Sequence, residues 1–181
     1  MSAGLLWTLA LLALAFFWML GAYNRVMALR SPIIAAWAQL ETVLQARRQA
    51  LASLLVAAEP RLAAERPALE AVIAAQAQLG AAADALRPRP ADADAVGALA
   101  RAEAGLTPVL ARLASLIEQQ ADWREDAALA GSLQALKELV PRWQFARQVF
   151  NDASTAYNEA VTQLPTRLLS ALFRFGRAGQ L

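Results

Sequence analysis

The first regularity along the chain is an unbroken apolar run. No side chain from Ser2 to Asn24 is charged, and the stretch Ala3–Tyr23 is long enough to cross a hydrocarbon core of about 30 Å at about 1.5 Å per helical residue. Trp7 lies near one end, and Trp18 and Tyr23 near the other, where amphipathic rings sit well at a membrane interface. A cleaved signal peptide is the competing reading, but no basic segment precedes the run and no small-x-small site follows it. Residues 3–23 are therefore expected to form a retained transmembrane helix.

Beyond Arg25 the pattern changes to three-four spacing. Ile33, Trp37, Leu40, Leu44, Leu51 and Leu54 form an apolar seam, interrupted by Arg47, that predicts a long amphipathic helix. Ser31-Pro32 either caps its start or kinks a helix continuing from the membrane. Pro60 ends it. A second helix is predicted from about Arg61 to Ala85, with Leu62, Leu69, Val72, Ile73 and Leu79 apolar and Pro67 able to delay its start. The Arg87-Pro88-Arg89-Pro90 stretch reads as a turn, and Asp92 or Asp94 as the cap of a third helix reaching about Gln120. The fourth helix has the most regular period: Leu133, Leu136, Val140, Trp143, Phe150, Tyr157, Val161 and Leu164, with Arg147 and Ser154 at skipped positions and Pro141 inside it.

Four long helices joined by short turns predict an all-α architecture: one N-terminal transmembrane helix (3–23), then an antiparallel up-and-down bundle with coiled-coil-like seams over 24–164. Its expected core includes Trp37, Leu40, Leu44, Trp143, Phe150 and Tyr157. The last segment, 165–181, reads as a short amphipathic helix. On a helical wheel Leu164, Leu168, Leu169, Leu172, Phe173 and Phe175 share one half, while Arg167, Arg174 and Arg177 lie opposite. That is the pattern of an interfacial helix with arginines at anionic headgroups. Packing onto the bundle or onto a neighbouring subunit is an equal alternative.

Composition narrows the chemistry. The chain has 181 residues, 58% of them hydrophobic, and neither Cys nor His. Disulfides, Cys/His zinc sites, Cys nucleophiles and His-dependent triads are excluded. The charged residues are 17 basic, with Lys137 the sole lysine, against 15 acidic, and no dense basic run suggests nucleic acid. Glu41, Glu65, Glu70, Glu103, Glu118, Glu138 and Glu159 are scattered, without a di-iron pattern, and no glycine-rich loop suits a phosphate. No cofactor, metal or catalytic residue is expected. Arg47 and Arg147 fall on apolar seams. Each reads either as a polar register device paired with an acid such as Asp152 or Glu41, or as a snorkelling side chain.

Three stretches carry a resemblance. They are Tyr23–Arg30 followed by Ala36–Leu40, then Leu69–Val72, and finally Phe145–Asp152 with Tyr157–Val161, completed by Leu164-Pro165 and Leu172–Phe175. In order and spacing the chain resembles the LemA family of bacterial membrane-anchored helical proteins from about Tyr23 onward. It departs from the family pattern at Gln49–Ser53 and at Pro32, Pro108 and Pro141. The resemblance implies a single span, a helical bundle and no established catalytic residues. Association of some members with bacterial organelle membranes makes membrane organisation an implied role.

The expected function is a non-catalytic scaffold in the bacterial inner membrane, one that self-associates or organises a membrane or membrane-protein complex. The alternative is an adaptor or signalling subunit that binds one membrane partner, such as a protease or sensor. The expected partners are the lipid bilayer, further copies of the chain and another membrane protein. Arg25 and Arg30 after the span predict an outside N-terminus and a cytoplasmic bundle.

Overall fold

The computed structural model describes residues 3–60, 65–120, 126–163, 166–167 and 176–181. Among them are four helices and no strand: α1 (Ala3–Ala58), α2 (Arg66–Leu86), α3 (Ala93–Gln119) and α4 (Ala127–Thr162). The fold is an all-helical bundle with a long apolar N-terminal extension.

The apolar run and the first amphipathic seam form a single helix. Pro32 lies inside α1 and does not cap it, although its ring nitrogen can donate no hydrogen bond to the preceding turn. The local penalty is offset by packing on both sides, because Val26, Ile33, Ala36, Trp37 and Leu40 are all buried. The packed seam also reaches further back than the three-four pattern suggested, to Val26 and Ala22. From Gly4 to Gly21 every residue of α1 is exposed, including Trp7 at 72% and Phe17 at 67%.

Local chemistry sets the other boundaries. Pro67 occupies the first turn of α2, where its missing N–H is no loss. Asp92 caps α3 by accepting from the Ala95 N–H at 3.0 Å, and Asp126 caps α4 through the N–H groups of Ala128 and Leu129.

Contacts between helices show the topology. Arg30 lies over Tyr157 and Arg47 over Trp143, so α1 and α4 run antiparallel. Gln76 reaches the Arg48 carbonyl and Arg87 reaches Glu41, so α2 descends beside α1. Lys137 pairs with Glu118 between α4 and α3. Backbones approach closely in two pairs, α1 with α4 and α2 with α3, and one apolar core joins all four helices.

That core contains Leu40, Leu54, Val72, Leu86, Leu99, Leu113, Ile117, Leu129 and Phe150, each essentially inaccessible to solvent. Among the described residues two expected seam positions fall outside it, and Leu62 and Leu164 lie outside the described residues. Val140 is half exposed and Leu139 takes its place, because the buried stripe of α4 steps Leu136, Leu139, Trp143, Ala146, Phe150. Ile73 is exposed because the α2 stripe runs through Leu69, Val72, Leu79 and Ala83.

Candidate functional site

Polar chemistry concentrates in three places, starting inside the bundle. Arg47 of α1 donates to Glu103 of α3 at 2.8 Å, with both side chains about 15% exposed. The guanidinium also lies 5.3 Å from the Trp143 ring centroid, a favourable cation–π arrangement. Glu103 Oε2 is buried with no hydrogen-bond partner. The Arg47 seam position is thus filled by a three-helix polar contact, with Glu103 as the acid in place of Asp152 or Glu41. Glu41 pairs with Arg87 at 2.6 Å, and the Arg87 guanidinium is held above its ordinary value, first by that hydrogen bond and then by the carboxylate's charge. Asp152 accepts from Gln148.

The second place is a clamp on the tail, residues 176–181. Asn158 Nδ2 donates to the Ala178 carbonyl at 2.9 Å, and its Oδ1 accepts from the Ala178 N–H at 2.7 Å. Asn151 does the same with Leu181, at 2.9 and 2.8 Å. Arg147 Nε adds a bond to the Leu181 carbonyl at 2.9 Å, and Gln180 donates to Thr155. Seven helical residues rise about 10 Å, and three residues of extended chain span about the same, so two asparagines two turns apart meet every third tail residue. Each side-chain amide stands in for a peptide group of a neighbouring strand. The tail also passes closely over the first turn of α3. Ala178 pairs with Asp92, and a Cβ on Gly179 would lie 2.6 Å from Val96 Cβ and 3.0 Å from Ala93 Cα. Only glycine fits there.

The third place is the end of the bundle from which the apolar run emerges. An open cavity of about 700 Å³ is lined there by Arg30 and Ile34 of α1, by Arg89 and Asp94 around the start of α3, by Tyr157 and by Arg177 of the tail. Tyr157 is buried and its hydroxyl has no hydrogen-bond partner. Arg30 lies 6.0 Å from its ring centroid.

The structure buries all six expected core residues: Trp37, Leu40, Leu44, Trp143, Phe150 and Tyr157. Of the interface candidates, Arg167 and Arg177 are exposed, whereas Leu168, Leu169, Leu172, Phe173 and Arg174 lie outside the described residues. Arg147 is exposed and serves the tail, not the core. In the sequence Asn151 and Asn158 stand out only as parts of a family-like stretch. Their sole sequence signal is the two-turn spacing of two amides. Among the described residues no group of three or more Asp or Glu side chains is placed to hold a metal ion.

A sequence profile of the LemA family matches residues 36–180. The chain belongs to the LemA family. The match begins inside α1, past the apolar run, and takes in the remaining helices and nearly all of the clamped tail. The family-like stretch Phe145–Asp152 with Tyr157–Val161 lies on α4 and supplies the core aromatics Phe150 and Tyr157 together with both clamp asparagines. Comparison with curated proteins finds no match to the chain. The membership brings no catalytic residues, and α1 holds the one described helix long and apolar enough to cross a membrane.

Proposed function

We propose that this LemA-family protein is a non-catalytic, membrane-anchored helical scaffold that self-associates or organises a membrane-protein complex. The observation that carries this reading is α1. One helix runs without a break from an exposed, uncharged apolar run into the seam of the bundle. An apolar surface that large is costly in water and ordinary in a bilayer. Arg25 and Arg30, just past the run, favour a cytoplasmic bundle at the bacterial inner membrane. Arg47 pairs with Glu103 inside the bundle and Glu41 with Arg87 nearer its surface, and charges neutralised in this way suit a structural role better than acid–base chemistry.

A single-partner adaptor is the second reading. It draws on a groove between α1 and α2 near their connection, where Val56 and Ile73 are exposed beside Leu55 and Leu69 and are flanked by Glu59, Arg66 and Glu70. Size determination in mild detergent separates the two. A scaffold runs as a large homo-oligomer on its own, and an adaptor as a monomer or dimer. Orientation has its own test: a cysteine at exposed Ala156 should resist impermeant thiol reagents in intact cells and react after lysis. Labelling of intact cells reverses the orientation.

A further inference from the structure

The cavity at the emergence of the apolar run has a lining that goes beyond anchoring. We propose that it binds the headgroup phosphate of an anionic membrane phospholipid. The proposal rests on the reading of α1 as a membrane anchor, and it assigns that anchor a specific lipid.

Three guanidinium groups from distant parts of the chain, those of Arg30, Arg89 and Arg177, line one cavity. Among the described lining residues Asp92 and Asp94 oppose them, Asp92 in a 3.9 Å ion pair with Arg89, which sets three guanidinium groups against two carboxylates. The start of α3 adds to the positive side. Asp92 satisfies the Ala95 N–H, while the N–H groups of Ala93 and Asp94, both cavity residues, belong to the first turn, where an α-helix offers no internal acceptor. The independent sign of a ligand is Tyr157. Its side chain is 1% exposed, it forms part of the lining, and its hydroxyl has no partner in the protein. A buried hydroxyl is rarely left so; its oxygen is closed to solvent in this structure, and a phosphate oxygen accepts from it once the Arg30 side chain over the ring moves onto the phosphate.

Position argues for a lipid as the source. Arg30 lies seven residues past Tyr23, about 10 Å along the helix, and helical side chains lean toward the N-terminus, here toward the bilayer. Ile34, 56% exposed on the same wall, offers apolar surface to the glycerol and upper acyl region. Arg177 is set in place by the clamp, because its neighbour Ala178 is held by Asn158 and Gly179 passes against α3. The tail therefore completes the site.

The test is native mass spectrometry of the full chain from a neutral detergent, titrated with phosphatidylglycerol or phosphatidylcholine. The wild type should retain phosphatidylglycerol preferentially, and Arg30→Gln, Arg89→Gln and Arg177→Gln should each lower retention about fivefold. Asp94→Asn removes an opposing charge and should raise retention. Tyr157→Phe should lower retention without lowering the unfolding midpoint, since it deletes only the unpartnered hydroxyl. Equal retention of the two lipids, or arginine variants that bind as the parent does, overturns the site. Displacement of the lipid by millimolar inorganic phosphate overturns it in favour of a free-anion site. Alkaline carbonate extraction separates the two readings. Release of the wild-type chain from membranes overturns the anchor, and the lipid site with it. A chain that stays in the membrane yet shows no lipid preference overturns the site alone.

Discussion

At the scale of single residues, α4 does two jobs with two faces. Phe150 is fully buried, and Phe150→Ala should lower unfolding stability by about 3–5 kcal/mol, transfer and cavity terms together, read as a shifted denaturant midpoint at unchanged slope. One position along, Asn151 begins the tail clamp. Gly179→Ala puts a methyl group into Val96 and the Ala93 backbone, so the tail must lift from α3. Hydrogen exchange at the amides of Ala178 and Leu181 should then accelerate while the helix amides stay protected. The aromatic positions were legible in the sequence because a seven-residue repeat of large apolar side chains has one economical explanation, a buried stripe. The clamp was not legible. The Asn151 and Asn158 partners lie 30 and 20 residues onward, and a pair of amides on a helix face looks the same whether it meets a strand or water.

At the scale of elements, helix number and most ends followed from proline and capping chemistry. Asp92 caps α3 and Pro67 opens α2, as their positions suggested. The unresolved choice at Ser31-Pro32 came out as continuity because long-range packing from Val26 to Leu40 outweighs one lost backbone hydrogen bond, and no local rule contains that packing. Pro32→Ala restores the N–H in a helix that is already formed. It should raise the thermal midpoint, with a gain of about 1–3 kcal/mol. An unchanged or lowered midpoint would mean that proline contributes something other than a tolerated penalty.

At the scale of the molecule, two close helix pairs are joined by the common core and by charges that cross between them, Arg47 to Glu103 and Arg87 to Glu41. The Arg47–Glu103 pair is mostly buried, so removing one partner strands the other. Arg47→Leu alone should destabilise by about 2–4 kcal/mol, whereas Arg47→Leu with Glu103→Leu should recover much of that loss in denaturant unfolding. A double variant no more stable than the single one would show that the pair stabilises the bundle in its own right. Sequence periodicity put Arg47 and Arg147 alike on apolar seams, but only Arg47 turns inward to an acid, while Arg147 is exposed and turns outward to the tail. That depends on which helix lies opposite, a fact of assembly.

The uninterrupted α1 has a mechanical consequence. With its apolar run in a bilayer, the helix has no joint at the membrane surface to absorb a change of tilt, and spans tilt as hydrocarbon thickness changes. The portion beyond Tyr23 is about 50 Å long, so a tilt change of about 10° sweeps its far end sideways by about 9 Å. Thinning or thickening of the bilayer would thus be converted into lateral travel of the α1–α2 connection, as a lever converts angle into displacement.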